Sequence, residues 1–194
     1  MRTQAGSPAG TLVNRLPQGI LRRLPPIEGR PIRLRVLAGL RASRDRLTGD
    51  GETFGRDWPE VHAGTFIRRR DTVIDAQLCR KREELARILI HELFHYAWAR
   101  LGNPARRSFE ALLLAERRQG ARGELGWSAE MRKQTLSVTG GRLWREYVCE
   151  AFCDTAAWLY SGIRSHDEFT LAARHRQARA RWFEAVFRKR GVRV

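Results

Sequence analysis

The 194-residue chain has few acidic residues, few lysines and few cysteines, and it contains no long apolar run. No segment approaches the roughly 18 to 20 apolar residues that a membrane-spanning helix needs, and the polar N-terminus lacks the hydrophobic core of a secretory signal. The three cysteines, Cys79, Cys149 and Cys153, are too few and odd in number for a disulfide framework. These absences argue against a membrane protein and against a disulfide-stabilised secreted protein, and they predict a cytoplasmic location.

Acidic residues are outnumbered by basic ones, 21 to 37, and the formal net charge is +16. A field of this sign attracts phosphate backbones and acidic proteins. No recognised nucleic-acid-binding motif accompanies the charge. A nucleic acid or an acidic protein therefore remains a hypothesis as partner, and nothing in the sequence indicates an oligomeric state.

The chain divides by composition into an arm and a domain. Residues 1 to 30 contain several prolines and glycines and few acids, which predicts a basic arm that is flexible or loosely packed. Residues 31 to 194 are enough for one domain with a substantial core, since 42% of the chain is hydrophobic. Alternating apolar and basic residues predict a strand over 31 to 38, and segments 62 to 68 and 72 to 76 predict a hairpin.

Helical periodicity dominates the second half of the chain. Apolar residues at three- and four-residue spacings predict a helix from Lys81 to Leu101, weaker helices over 105 to 119 and 128 to 137, and a strong helix from Leu143 to Tyr160. Ser165 with Glu168 resembles a capping box that would begin a last helix ending near residue 188. The predicted fold class is α+β, with a short N-terminal sheet followed by a helical C-terminal part.

The first of these helices carries the sequence His91-Glu92-Leu93-Phe94-His95. Residues i and i+4 lie on one face of a helix, so both imidazoles can reach a single metal ion. This spacing is the HExxH pattern of zinc-dependent hydrolases, in which the intervening glutamate, here Glu92, takes a proton from the metal-bound water.

A catalytic zinc ion needs three protein ligands and one open position, so two histidines are not enough. The helix from 143 to 160 carries Glu146, Glu150 and Asp154 on one stripe, while its other faces are apolar. Buried carboxylates are unfavourable unless they are paired or bound to a metal. Glu146 and Glu150 are both candidates for the third ligand, since each has an acid one turn later. Cys149 or Cys153 could also bind zinc as a thiolate. If a thiolate filled the fourth position, the site would be structural and not catalytic.

Together with the pair Glu150 and Asp154, the motif resembles that of the gluzincins, the thermolysin-like metallopeptidases. The resemblance implies a zinc ion held by His91, His95 and Glu150, with Glu92 as the general base. It also implies that Asp154 hydrogen-bonds His91, the first histidine of the motif. Glu146 remains the alternative third ligand, although the resemblance favours Glu150.

Within that clan the layout is most similar to the small intracellular ImmA/IrrE-type or minimal gluzincins, in which a short hairpin leads directly into the HExxH helix. The resemblance covers about residues 60 to 162 and implies a zincin-like fold. It departs from the usual pattern at Phe94, where glycine is common, and over residues 105 to 140, which have no counterpart. It further implies an edge strand that binds extended substrate, formed by Ala63, Gly64, Thr65, Phe66 and Ile67.

Two functions follow as hypotheses. The favoured one is a zinc metallopeptidase acting on a peptide or protein, with the adjacent Arg68-Arg69-Arg70 cluster selecting acidic substrate residues. The alternative is a non-proteolytic zinc-containing module with a regulatory or nucleic-acid-binding role, whose contact surface is the basic arm and the arginine-rich segment 174 to 190. The group that stabilises the transition state stays open among His62, His166, His175, Tyr147 and Tyr160.

Overall fold

The computed structural model describes residues 10–43, 46–50, 52, 55, 57–188 and 191–194. Of the described residues, about 53% are helical, 3-10 turns included, and 15% are strand, which confirms the predicted mixture of both. The strands are β1 (Gly10–Thr11), β2 (Ile27–Glu28), β3 (Arg33–Leu37), β4 (Arg41–Ser43), β5 (Arg46–Thr48), β6 (Ala63–Phe66), β7 (Asp71–Asp75) and β8 (Val192–Arg193). The helices are α1 (Gln18–Leu21), α2 (Arg82–Arg100), α3 (Asn103–Arg118), α4 (Trp127–Gln134), α5 (Gly141–Tyr160) and α6 (Ala173–Phe187). None of the helices in the described ranges has the length and hydropathy needed to cross a bilayer.

A four-stranded sheet lies in the order β1-β3-β7-β6. Strand β7 is central and buried at all five positions, which explains its run of Thr72, Val73 and Ile74. It pairs in parallel with β3 and antiparallel with β6. The predicted hairpin is therefore confirmed, and Arg70, in the left-handed conformation at φ 50°, closes its turn. Strand β6 lies at the edge of this sheet.

Helices α2 and α5 pack along each other and form the centre of the core. Glu83 and Glu84 stand in the first turn of α2, where carboxylates interact favourably with the helix dipole. Phe94 is fully buried, and its ring lies 5.8 Å from that of Phe152 and 5.6 Å from that of Tyr160. The residue at which the HExxH motif departs from the usual pattern thus points into an aromatic core.

The segment before β3 belongs to the same core from residue 10 onward, unlike the arm predicted over 1 to 30. Leu12, Leu16, Ile20 and Leu24 are all buried there. Their four-residue spacing supplies an apolar face that the proline and glycine content of the segment obscures. The backbone of β1 and β2 also pairs with β3 and β8, and residues 1–9 of the predicted arm lie outside the described residues.

The last helix begins at Ala173 and not at the predicted capping box. Glu168 does not cap it, because its carboxylate accepts hydrogen bonds from the Arg87 guanidinium at 2.8 Å and from the Trp127 amide at 2.7 Å. Arg179 on this helix is fully buried. Part of the arginine content that suggests a solvated basic face is thus internal.

Candidate metal centre and cavity

The side chains of His91, His95 and Glu150 converge where α2 packs against α5. The two histidine Nε2 atoms lie 3.2 Å apart, and Glu150 Oε2 lies 3.3 Å from His91 Nε2 and 3.9 Å from His95 Nε2. Ligands held at 2.0 to 2.1 Å in a tetrahedron are separated by about 3.3 Å. The three atoms are therefore spaced as three ligands of one small metal ion would be.

Asp154 holds His91 from the opposite side. Its Oδ1 lies 2.7 Å from His91 Nδ1, and its Oδ2 accepts a hydrogen bond of 2.9 Å from the amide of Ala129 in the first turn of α4. A Cβ on Gly126 would lie 2.3 Å from the Asp154 carboxyl carbon, so only glycine leaves room for this carboxylate. Asp154 thus directs His91 Nε2 towards Glu150, which is the role of the carboxylate behind a metal-bound imidazole.

The charges in this cluster compensate one another. Burial works against a charged imidazole, but the Glu150 carboxylate raises the pKa of His95 to about 9. Burial also opposes charge on His91, yet Asp154 raises the pKa of His91 well above its usual range. Burial would raise the pKa of Glu150, but the two histidines lower it to about 2. The carboxylates therefore favour positive charge at the ring nitrogens, as a metal cation requires.

Two thiols lie on the other side of the His95 ring. Cys153 Sγ is 3.4 Å and Cys149 Sγ is 3.6 Å from His95 Nδ1. One donor atom each from His91, His95 and Cys153 also falls within 4.8 Å of the others, so this buried group could hold a metal ion. Because the sulfur faces Nδ1 while Glu150 and His91 face Nε2, the Nε2 set is better arranged around one ion. Cys79 is exposed and belongs to neither set.

Glu146, the alternative third ligand, is engaged elsewhere. Its carboxylate pairs with Arg142 at 2.7 Å and with Arg132 at 3.4 Å. It lies one turn before Glu150 on α5 and, in the described structure, makes its ion pairs with these two arginines. The geometry thus gives Glu150, and not Glu146, a place beside the histidines.

Glu92 lines a cavity of about 500 Å³ that also reaches His91 and Asp154. The Glu92 side chain is buried within α2, and the wall opposite comes from the residues that lead into β6 and from the start of α4. The lining includes His62, Ala63, His91, Glu92, Trp127 and Ser128. The predicted general base and His91, one of the predicted metal ligands, therefore share a cavity.

Strand β6 presents its outer edge next to this cavity. The Asp75 amide donates to the His62 carbonyl at 2.8 Å, so these two residues form a hydrogen-bonded pair. Such pairs occur at every second residue of an antiparallel hairpin. The amide and carbonyl groups of Gly64, two residues further on, therefore point towards β7. Ala63 and Thr65 then direct their amide and carbonyl groups away from β7. Of the predicted substrate strand, Ala63 to Phe66 are in β6, whereas Ile67 begins a short 3-10 turn.

Among the histidines left open by the sequence, His62 lines the cavity. His166 Nε2 lies 2.7 Å from a Glu84 carboxylate oxygen, in the ion-pair network around Arg87. His175 is buried at the start of α6. His62 is thus the histidine that the described structure brings to the same cavity as Glu92.

Both tyrosines left open point into the protein. Tyr147 donates a hydrogen bond of 2.6 Å to Glu124, and burial raises its pKa. Tyr160 stacks on Phe94, and burial raises its pKa to about 12. Neither ring is among the residues that line the cavity.

Arginines concentrate around two clefts on another part of the surface, of about 540 and 440 Å³. The arginines that line them are Arg30, Arg33, Arg68, Arg69, Arg70, Arg100 and Arg193. Glu28 is the acid among the lining residues, and Asp71 pairs with Arg33 at 2.9 Å. The Arg68-Arg69-Arg70 cluster lines these clefts and is not part of the lining of the Glu92 cavity.

Comparison with known proteins gives no relative: no family model matches the chain, and no curated protein or solved structure matches it significantly. The arrangement must therefore be interpreted from its own geometry. Sequence reasoning missed Gly126, Ala129 and the contact of both thiols with His95. A glycine before a helix is common, so only the folded chain reveals that this one borders a carboxylate.

Proposed function

We propose that this protein is a zinc-dependent peptidase with a zincin-like active site. The observation that carries the proposal is the convergence of His91 Nε2, His95 Nε2 and Glu150 Oε2 within 3.9 Å of one another. Two imidazoles and one carboxylate form a common donor set of catalytic zinc sites, which leaves a coordination position open. The sequence resemblance to small gluzincins supports the same assignment.

Substrate binding would use the outer edge of β6, the last strand of the four-stranded sheet in the described residues. An extended peptide can add as a further strand by pairing with the outward amide and carbonyl groups of Ala63 and Thr65. Since Ala63 also lines the cavity, a peptide in this position would pass alongside Glu92 and His91. Backbone pairing would hold the peptide, and side chains entering the cavity would contribute specificity.

Zinc bound there would polarise the scissile carbonyl and acidify a water molecule. Glu92, which follows His91 on α2 and lines the same cavity, would accept the proton of that water and deliver it to the leaving amine. Asp154 would keep His91 oriented. His62 is placed at the cavity wall where a hydrogen-bond donor could stabilise negative charge that develops on the carbonyl oxygen.

Metal analysis of purified variants tests the ligand set. We expect the unmodified protein to contain one zinc ion per chain, Glu150→Ala to lose it and Glu146→Ala to retain it. The two glutamates lie one turn apart on α5, so Glu146→Ala is a matched control for the loss of a carboxylate from that helix. Equal zinc content in both variants would contradict the assignment of Glu150.

Peptide hydrolysis tests the chemistry. A diverse library of quenched fluorescent peptides should be cleaved by the zinc-loaded protein, and Glu92→Gln should retain zinc while losing cleavage by roughly 100-fold or more, as expected when a general base is removed. Retention of both zinc and full cleavage by Glu92→Gln would overturn the role of Glu92. No cleavage of any peptide by the zinc-loaded protein would favour a non-proteolytic role.

A nucleic-acid-binding role is the second candidate, and the arginine clefts favour it. They share Arg30 and Arg70, and several neighbouring guanidinium groups can bind phosphate oxygens in bidentate fashion. Fluorescence anisotropy with labelled oligonucleotides should show salt-dependent binding that Arg30→Glu with Arg193→Glu abolishes. The matched control makes the same charge change at exposed Arg117 and Arg118 on α3; an equal loss of binding there would indicate attraction by net charge alone.

A further inference from the structure

The thiols of Cys149 and Cys153 flank His95 without a role in the proposed chemistry. They stand one turn apart on α5, and both sulfurs contact the Nδ1 atom of His95 on α2, at 3.6 and 3.4 Å. A nitrogen and a sulfur bound to one metal ion at about 2.0 and 2.3 Å are separated by about 3.6 Å. Both nitrogen–sulfur distances therefore match those of ligands around a common ion.

We propose that His95 Nδ1, Cys149 Sγ and Cys153 Sγ form a second metal site, which binds a soft, thiophilic cation of the Cu(I) class. Thiolates select soft ions, and two sulfurs with one imidazole provide the low coordination number that Cu(I) accepts. On binding, each thiol loses its proton to solvent, two S–Cu bonds and one N–Cu bond form, and the copper keeps its oxidation state.

Burial fits this assignment. Cys153 is fully buried and Cys149 is partly exposed, so an ion delivered to Cys149 could pass to the interior pair. Cys153 belongs to the hydrophobic core cluster and Cys149 packs against it, and such apolar surroundings disfavour a hard, hydrated ion. The carboxylate of Glu150 instead faces His95 Nε2, at 3.9 Å, on the other side of the ring.

One imidazole cannot serve both sites in its neutral form. Zinc on Nε2 needs the proton on Nδ1, whereas Cu(I) on Nδ1 needs the proton on Nε2. Cu(I) should therefore displace zinc and inhibit the peptidase. This consequence rests on the proposed function, whereas the existence of the thiol site does not.

An anaerobic Cu(I) titration against a chromophoric Cu(I) chelator tests the site on the full-length protein. We expect the unmodified protein and Cys79→Ala to take up one tightly bound Cu(I) per chain. The double variant Cys149→Ala with Cys153→Ala should bind at least about 100-fold more weakly, because even indirect changes around a metal site weaken binding roughly 10- to 100-fold. Equal affinity in the double variant would overturn the proposal.

Further variants distinguish the loss of the thiol site from misfolding and from effects on the zinc ligands. Cys149→Ser alters only the partly exposed thiol, keeps a polar side chain and should also weaken Cu(I) binding with an unchanged circular dichroism spectrum. Glu150→Ala should lose zinc and bind Cu(I) at least as tightly as the unmodified protein, because no zinc then competes for His95. Loss of Cu(I) in Glu150→Ala would locate the ion on the Nε2 side and overturn the proposal. Cu(I) binding in a protein that neither keeps zinc nor cleaves peptides would sustain the thiol site and refute the proposed function alone.

Discussion

His95 illustrates at the scale of one residue how two chemistries meet in this protein. Its Nε2 atom faces His91 and Glu150, which offer nitrogen and oxygen, while its Nδ1 atom faces two sulfurs. Which side holds a metal depends on the softness of the ion and on the ring tautomer. Under the two proposals, the same imidazole would discriminate between zinc and a thiophilic ion.

Gly126 gives a prediction at this scale. Its φ of −179° suits any residue, so a Gly126→Ala change acts only through the added Cβ, which would lie 2.3 Å from the Asp154 carboxyl carbon. We expect Asp154 to shift from His91 and the zinc dissociation constant to rise roughly 10- to 100-fold, as for other residues behind metal ligands. Competition with a fluorescent zinc chelator measures this change.

Gly19→Ala is the matched control, because a Cβ there would meet nothing within 4 Å. Its zinc affinity should equal that of the unmodified protein. Unchanged zinc affinity in Gly126→Ala would show that the contact between Asp154 and His91 does not support metal binding.

The local pattern around the histidines already predicts several contacts seen at this scale. The i, i+4 spacing brings the Nε2 atoms of His91 and His95 together, whereas the resemblance to the gluzincins implies Glu150 beside them and Asp154 behind His91. The approach of Gly126 to Asp154 could not be predicted, since it depends on how α4 docks against α5. Spacing along one helix predicts the histidine pair, the resemblance supplies Glu150 and Asp154, and the position of Gly126 follows only from tertiary packing.

At the scale of elements, α2 and α5 must keep a fixed distance for the site to exist. Each supplies part of the donor set, and an aromatic cluster joins them on the side away from the cavity. Phe94 lies in this cluster, 6.1 Å from Phe183 and 6.0 Å from Phe187 of α6, besides its contacts with α5. An aromatic residue within the HExxH motif therefore anchors three helices.

Phe94→Ala should lower the free energy of unfolding by about 3 to 5 kcal/mol, since a fully buried ring leaves a cavity that the neighbouring rings fill only in part. Urea denaturation followed by circular dichroism measures the change. The control is Val138→Ala, at a residue that is 68% exposed, which should change the free energy of unfolding by less than about 0.5 kcal/mol. A loss below about 1 kcal/mol at Phe94 would mean that the aromatic cluster repacks freely.

The edge strand β6 gives a second prediction for an element. Proline tolerates edge positions whose amide points away from the sheet, so Ala63→Pro should preserve pairing with β7 but remove a donor to an added strand. We expect KM for a cleaved peptide to rise several-fold, as for the loss of one hydrogen bond of about 0.5 to 1.5 kcal/mol. Gly64→Pro should instead destabilise the hairpin, because that amide faces β7. An unchanged KM in Ala63→Pro would exclude substrate pairing at this edge.

At the scale of the whole molecule, the sequence predicts the hairpin and the long helices but not how the segments at the two ends join the core. Leu12 and Leu16 are buried although prolines and glycines surround them, because strand pairing with β3 draws the segment onto the sheet. Arg179 lies in the arginine-rich segment 174 to 190, which the alternative hypothesis treats as a contact surface. Its burial depends on acids 55 and 63 residues away, which no local pattern reveals.

The Arg179 guanidinium binds two buried carboxylates, Glu116 at 2.7 Å and Glu124 at 2.7 Å. Lys133 and Tyr147 also contact Glu124, at 3.0 and 2.6 Å. The network thus joins α3, α4, α5 and α6. A charge buried in this way contributes chiefly by satisfying its partners, so loss of the arginine leaves two acids without their main counterion.

Arg179→Gln should lower the free energy of unfolding at pH 7 by about 3 to 5 kcal/mol. Burial raises the pKa of Glu124, but Arg179 outweighs it and lowers that pKa below its ordinary value. In the unmodified protein, ionised Glu124 therefore stabilises the folded state at pH values above its unfolded pKa of about 4.3. This contribution is lost as the pH falls through the lower pKa that Glu124 has in the folded state. In the variant the effect of burial prevails, so Glu124 protonates more readily when folded than when unfolded, and acid relieves the defect.

Urea unfolding at pH 7 and pH 4 should therefore show that the stability difference between Arg179→Gln and the unmodified protein narrows as the pH falls. Arg188→Gln removes an exposed partner of Glu184 on the same helix and should cost less than about 1 kcal/mol at either pH. A deficit in Arg179→Gln that is the same at both pH values would mean that lost packing, and not uncompensated charge, destabilises the variant. A narrowing deficit would establish that the buried acids need this arginine only while they are ionised.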